Sequence, residues 1–219
     1  MRVLSVNCGR AEPIAGAKAS GRTGIYKRPV ATPVTVTTHG LTEDVICDTE
    51  NHGGVDQAIY MYGAPDYAWW GSALSHDLEP GTFGENITIT DLESADLVIG
   101  DRLHIGALTL EVTAPRIPCV TLARRMDDPA FLKRFRDAER PGVYCRVIQE
   151  GTIQIGDEVQ YEPHTGVRVS VLELFRDFFA PHDDEATIRR HLGTPLALRA
   201  RRDKEAQLER LLAQQVQPH

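Results

Sequence analysis

Up to about residue 163 the apolar positions of the chain repeat with a period of two, and beyond it with the period of a helix. Leu103, Ile105, Leu108, Leu110 and Val112 alternate through a hairpin turned at Gly106-Ala107. That places five apolar side chains on one face and leaves His104 and Glu111 outward. Val143, Cys145 and Val147 share a face in the same way, which makes Cys145 a core residue. Residues 3–7, the β-branched run 34–38 and residues 58–62 read as further strands. Ile99-Gly100-Asp101 returns as Ile155-Gly156-Asp157, two similar turns that each lead into a strand.

Helical signals are fewer in this part. Residues 65–70 read as a short helix with its aromatic side chains packed inward. Asp128 and Pro129 start a helix whose apolar face is Phe131, Leu132 and Phe135. After Pro163-His164-Thr165-Gly166 the pattern predicts three helices. Ser170 and Glu173 form a capping box for the first, with Val171, Leu174, Phe175 and Phe178 inward. Asp183-Asp184 opens the second, which runs through Ile188 and Leu192 and stops at Gly193. Thr194-Pro195 caps the third, with Leu208, Leu211 and Leu212 on its inner stripe. The expected fold class is mainly β: a β-barrel with a few short helices over residues 1–163, followed by a small three-helix extension over 164–219.

Composition narrows the function. The 219 residues are 42% hydrophobic and 25% charged, as in a soluble domain with one core. A net charge of −7 and a pI near 5.6 argue against nucleic-acid and acidic-membrane partners, which need a basic face. The N-terminus lacks the apolar run of a signal peptide and no stretch approaches a membrane span, so a cytoplasmic location is expected. Cys8, Cys47, Cys119 and Cys145 form no Cys-x-x-Cys pair, which speaks for reduced thiols and against a disulfide framework, a zinc site or an iron–sulfur cluster.

The chemistry concentrates in residues 113–122. Pro115 and Pro118 stiffen an extended segment that carries Cys119 from a strand to the start of a helix, close to Arg116. A helix start and a guanidinium both favour thiolate; the alternative is a small buried hydrophobe. Three glycine-punctuated loops precede it. The Gly21–Gly24 turn, with Arg22 inside it and Lys27 just after, presents amides and cations suited to a phosphate. His52 stands beside Gly53-Gly54, where backbone can approach a ligand closely. Glu85 and Asn86 follow Gly84 into a strand and either face a cleft or cap the turn.

In order and spacing these stretches resemble the MOSC family, in its YiiM-like branch of molybdenum-cofactor-binding proteins. The resemblance runs over residues 1–163 through Ser5-Val6-Asn7, Gly21-Arg22-Thr23-Gly24-Ile25-Tyr26-Lys27, His52-Gly53-Gly54 and Gly84-Glu85-Asn86. It continues through Ile99-Gly100-Asp101, Pro115-Arg116-Ile117-Pro118-Cys119 and Arg140-Pro141-Gly142-Val143-Tyr144, and the helical tail resembles that branch's extension. Val120, Thr121, Glu43 and Asn51 depart from the family's commoner choices.

The resemblance implies a barrel that holds a Mo-molybdopterin cofactor, with Cys119 as metal ligand and catalytic residue; a soft thiolate suits such a metal. It makes Arg22, Lys27, His52, Gly53, Gly54, Glu85, Asn86 and Arg116 candidates for holding the pterin and its phosphate. It also implies reduction of small N-hydroxylated compounds such as 6-hydroxylaminopurine. The chain has no cluster or flavin motif, so electrons would come from a separate reductase. The alternative is a non-catalytic carrier of the cofactor or its sulfur. A homodimer, a cover over the barrel mouth and a dock for the reductase are the roles open to the tail.

Overall fold

The computed structural model describes residues 1–16, 20–48 and 52–216, so Asn51 lies outside the described residues. The chain opens with β1 (Val3–Cys8), the short ribbon β2 (Glu12–Pro13) and β3 (Arg22–Thr23), then β4 (Arg28–Pro29), β5 (Val34–Thr37) and β6 (Gly40–Leu41). A 3-10 turn at Val55–Gln57 leads to β7 (Ile59–Gly63), α1 (Ala64–Leu74) and β8 (Ile87–Ile89). The predicted hairpin follows as β9 (Arg102–Ile105) and β10 (Leu108–Pro115), then α2 (Val120–Arg125) and α3 (Phe131–Ala138). The sheet part ends with β11 (Val143–Gln149), β12 (Gly151–Ile153) and β13 (Gln160–Glu162). The tail is α4 (Val171–Phe179), α5 (Glu185–Leu192) and α6 (Leu198–Val216).

Eight strands make one sheet in the order β13-β9-β10-β11-β7-β8-β1-β4. It is mixed, because β7 and β8 run parallel while the other pairs are antiparallel. A second sheet, β12-β5-β6, contributes Val34, Val36 and Ile153 to the same apolar core as Ile59, Leu103 and Leu110. The opposite face carries an aromatic core. Strand β7 shows why: its even spacing sends Ile59 and Met61 to the apolar core and Tyr60 and Tyr62 to the aromatic one. There Trp70, Phe83, Phe131 and Phe135 pack with ring centroids 5.1–6.3 Å apart.

The expected barrel does not close, and the chain is 31% helical against 26% strand, so mainly β is only a rough description. The ladder ends at β13 and β4, which do not pair with each other. These end strands are three and two residues long, and β4 contains a proline that cannot donate to a ladder. Backbone bonds from Val3 to Asp157 (2.9 Å) and from Val159 to Met1 (3.1 Å) tie the start of β1 to the segment that leads into β13.

Several local rules hold closely. In the twin turns, Asp101 accepts the N–H of Val98 (2.7 Å) and Asp157 that of Gln154 (2.9 Å), with Gly100 and Gly156 at φ 96° and 89°. Cys145 is fully buried. Glu111 leaves the apolar face as expected but is itself buried, held by Arg102 (2.9 Å) and Arg146 (3.5 Å). In the tail, Ser170 accepts the Glu173 N–H (3.0 Å), while the Glu173 carboxylate turns to Arg190 and His191 instead of closing a capping box. Asp184 caps α5 through Thr187 N–H (2.7 Å). Thr194 serves the end of α5, donating to His191 O. The third helix therefore starts later than Thr194-Pro195 predicts, where Leu198 N–H donates to Asp56 Oδ2 (2.6 Å). Phe178, placed inward by the pattern, is 59% exposed. Among the described residues no helix is long and apolar enough to cross a membrane.

The tail is tied internally by an ion pair between Asp177 on α4 and Lys204 on α6, both nearly inaccessible. Burial pushes the Asp177 carboxyl up, but Lys204 and the N–H and ring of His182 outweigh it and hold it below the ordinary range. A depressed carboxyl stabilises the fold above its unfolded value, about 3.9, and loses that contribution as pH falls through the lower folded value. Lys204→Met is expected to cost about 3 kcal/mol in urea unfolding at pH 7, because a buried carboxylate loses its cation. It should also flatten the acid-side loss of stability below pH 4, by the same linkage.

Candidate functional site

Strand β10 ends at Pro115 and α2 begins at Val120, so residues 116–119 bridge them in extended geometry, with Cys119 at the N-cap (φ −128°, ψ 167°). This bridge forms one wall of a cleft of about 660 Å³, part of it open to solvent. The loops 22–27, 44–48 and 52–57 and the residues Gly84 and Asn86 form the rest. Two glycines set how closely these loops meet. A Cβ on Gly24 would stand 1.8 Å from the Val45 carbonyl oxygen, and one on Gly84 (φ 79°) would stand 2.9 Å from Ile25.

Cys119 is half-buried at the cleft wall. Burial alone would raise its thiol. A hydrogen bond from His52, the charge of Arg116 and the Leu122 N–H outweigh it and bring the pKa down to about 5. The group is therefore a thiolate at neutral pH. Cys8 moves the other way, pushed up to about 11 by burial first and by Asp44 second. Arg116 is itself buried: one terminal nitrogen donates to Phe83 O, the guanidinium lies 5.0 Å above the Tyr60 ring, and Nε has no partner.

Seven of the residues singled out from sequence line this cleft: Arg22, Lys27, His52, Gly53, Asn86, Arg116 and Cys119. They are not equally available. Arg22 is exposed and donates to Ala11 O (2.5 Å). Lys27 is buried in an ion pair with Asp44. Asn86 donates to the same carboxylate (3.0 Å) and accepts the Tyr60 N–H (3.1 Å). Both thus fix the loop holding Asp44, whose other oxygen accepts the Gly9 N–H (2.7 Å). Gly54 and Glu85 do not line the cleft. Gly54 is exposed at the start of the 3-10 turn, where a Cβ would meet open space and its carbonyl accepts the Gln57 N–H (3.0 Å). Glu85 is buried beneath the cleft floor, where Oε1 accepts from Tyr67 (2.6 Å), Gly81 N–H (2.6 Å) and Thr88 (2.9 Å). It caps its own loop, the structural option its position allowed.

Asp44, Gln57, Tyr60, Thr121 and Tyr144 also line the cleft and were not singled out as site residues. Two of them left a trace: Tyr144 closes the Arg140–Tyr144 motif, and Thr121 departs from the family pattern two residues after the cysteine. Gln57 Oε1, Arg116 Nε and Thr121 Oγ1 are buried without partners. Buried polar atoms are normally bonded, so these three fit a ligand that offers both donors and acceptors, as a pterin does. Among the described residues no cluster of three His, Cys, Asp or Glu could hold a metal ion. A lone soft thiolate beside unpartnered polar atoms suits a metal that arrives with further ligands of its own.

The MOSC domain profile matches residues 48–160, a span that includes His52, Arg116 and Cys119. The chain belongs to the MOSC domain family. Among MOSC relatives, the uncharacterized YflK of Bacillus subtilis is 32% identical over 158 residues, covering 72% of each chain. A Gibberella moniliformis protein named Reductase is also 32% identical over 158 residues, which is 69% of this chain and 28% of that one. The crystal structure of YiiM from Geobacillus stearothermophilus has the same fold, with a TM-score of 0.78 at 26% identity over 94% of this chain and 98% of that one.

The thiolate of this MOSC protein can be titrated directly in the cofactor-free state. Iodoacetamide labelling of Cys119, followed by mass spectrometry, should rise through a midpoint at about pH 5 and level off above it. In His52→Ala the midpoint should move upward, since the largest stabilising contact of the thiolate is gone. A midpoint in the ordinary thiol range, about 8.5, for the native protein would refute the assignment.

Proposed function

We propose that this MOSC protein is a molybdenum-cofactor-dependent reductase of small N-hydroxylated compounds, with 6-hydroxylaminopurine as reference substrate and a separate reductase as electron donor. The observation that carries this reading is the Cys119 thiolate, flanked by His52 and Arg116, in a cleft whose wall holds three unpartnered polar atoms. The name of the Gibberella relative supports redox chemistry, within the 28% of that protein that is matched.

When bound, the cofactor supplies a molybdenum centre competent for two-electron oxygen-atom chemistry. Cys119 would be the protein's ligand to that centre. His52 holds the sulfur in place by its hydrogen bond, the kind of outer contact that orients a metal ligand. Arg116 Nε, Thr121 Oγ1 and Gln57 Oε1 would supply donors and acceptors for the polar edge of the organic part. The rings of Tyr60 and Tyr144 close the cleft on the side of Arg116 and limit water. The balanced reaction is R–NHOH + 2 e⁻ + 2 H⁺ → R–NH₂ + H₂O: the N–O bond breaks and the oxygen leaves as water.

The half-exposed thiolate also favours one second reading, a carrier whose Cys119 bears a persulfide. Metal analysis separates the two. After expression in a cofactor-competent host fed molybdate, wild type should hold close to one molybdenum per chain and Cys119→Ala almost none. Reduction of 6-hydroxylaminopurine should disappear in Cys119→Ser. A wild type without molybdenum, beside a loaded control molybdoenzyme from the same host, would overturn the reductase. A mass increase of about one sulfur atom on Cys119 would then establish the carrier.

A further inference from the structure

Strand β11 repeats the alternation of β7, its neighbour in the sheet. Val143, Cys145 and Val147 go to the apolar core, so Tyr144 has to face the other way, where its partner across the ladder is Tyr60. The two rings pack 5.2 Å apart, tilted by 42°, and the Arg116 guanidinium lies over the Tyr60 ring. Tyr144 thereby lines the cleft together with Arg116 and Cys119, and the charges of both bear on its hydroxyl. The tyrosines beside it have spent their hydroxyls within the fold. Tyr60 donates to Pro141 O (2.9 Å), Tyr62 to Arg140 O (2.6 Å) and Tyr67 to Glu85 Oε1 (2.6 Å). The Tyr144 hydroxyl has no hydrogen-bond partner among the described residues, although its side chain is half-buried. A tyrosine O–H so placed normally finds one.

We propose that Tyr144 recognises the N-hydroxyl group of the substrate: its O–H donates to the oxygen that is to leave, and so separates the N-hydroxylated molecule from the amine that is its product. The proposal rests on the reductase reading above. The other polar groups of the cleft suit this task less. Lys27 and Asn86 are held by Asp44. Arg116 Nε, Thr121 Oγ1 and Gln57 Oε1 are buried, which fits a resident group that covers them, whereas a molecule that comes and goes meets the partly exposed phenol. Burial raises the pKa of Tyr144 against the opposing charge of Arg116, with Cys119 adding to the rise, so at neutral pH the group has a proton to donate. The substrate oxygen reacts beside Cys119, on the cleft that Tyr144 shares. The amine has no oxygen to offer there and leaves the donor unpaired, and a site built to bond a hydroxyl discriminates against the analogue that lacks it.

Calorimetry on the molybdenum-loaded, oxidised protein without electron donor measures binding apart from turnover, with 6-hydroxylaminopurine and adenine as probes. Wild type should bind the hydroxylamine about tenfold more tightly than the amine. Tyr144→Phe keeps the ring and its packing on Tyr60 and removes only the donor. That variant should bind 6-hydroxylaminopurine about tenfold more weakly and adenine as wild type does, so the preference disappears. Its molybdenum content should stay at the wild-type level. Binding of the hydroxylamine by Tyr144→Phe equal to wild type, or a wild type that prefers neither probe or binds neither, overturns the role of Tyr144; reduction by wild type then still upholds the reductase. Loss of molybdenum in Tyr144→Phe assigns the hydroxyl to the cofactor and overturns the proposal as well. The expected binding pattern, without reduction by wild type when reduced methyl viologen is supplied, leaves Tyr144 standing and removes the reductase.

Discussion

The alternation of β7 is the constraint on which the site depends. Ile59 and Met61 are locked into the apolar core, so Tyr60 and Tyr62 have to face the other way. Tyr60 then carries the cleft: its ring lies under Arg116, its N–H is accepted by Asn86, and its hydroxyl donates to Pro141 O (2.9 Å). Asn86 passes the constraint to Asp44, and Asp44 to Lys27 and Gly9. Loops far apart in sequence are thereby hung from one strand, and a register slip by a single residue would exchange the two cores and take the cleft apart.

Electrostatics follows from that scaffold. Arg116 is a buried guanidinium whose donors reach a carbonyl and an aromatic face, neither of which neutralises it. A buried cation is costly without an anion nearby, and the Cys119 thiolate supplies one; each group stabilises the charged form of the other. Cys8 shows the contrast within the same molecule. It too is partly buried, and there burial, the largest effect, is reinforced by Asp44 and only partly offset by Lys27, so the thiol stays protonated at neutral pH. The reactive thiol is distinguished by its neighbours, not by its burial.

What was legible in the sequence was what local geometry decides. The β9–β10 hairpin, the twin Ile-Gly-Asp turns and the cap at Asp184 rest on contacts within a few residues, and the burial of Cys145 follows from the period-two pattern of its own strand. Sheet closure was not legible, because it depends on whether strand ends distant in sequence are long enough to pair. The burial of Glu111, and the choice between the two options left open for Glu85, were hidden for a similar reason. A carboxylate in a loop or strand pattern reads as cleft-facing or solvated, yet both are buried by partners such as Tyr67, which lies 18 residues from Glu85, and Arg146, which lies 35 from Glu111. Asp44 gave no signal, being an ordinary loop aspartate until Lys27 and Asn86 converge on it. Phe178 broke its helical pattern because the tail stands away from the sheet there and leaves space.

That space is fixed by contacts that also reach the cleft. Asp56 accepts the first N–H of α6 with one oxygen and pairs with Arg146 through the other (3.0 Å), while its carbonyl accepts from Thr113 (2.6 Å). Arg146 in turn donates to Pro195 O and Leu196 O, both at 3.1 Å. The start of α6 is therefore anchored to β10, to β11 and to the turn whose next residue, Gln57, lines both the cleft and a second cavity under the tail. A tail attached by a single linker would drift relative to the sheet. Held at these points, it keeps the bridge 116–119 between the cleft, which Cys119 lines, and the cavity under the tail, which Ile117 lines with Leu174 and Phe178.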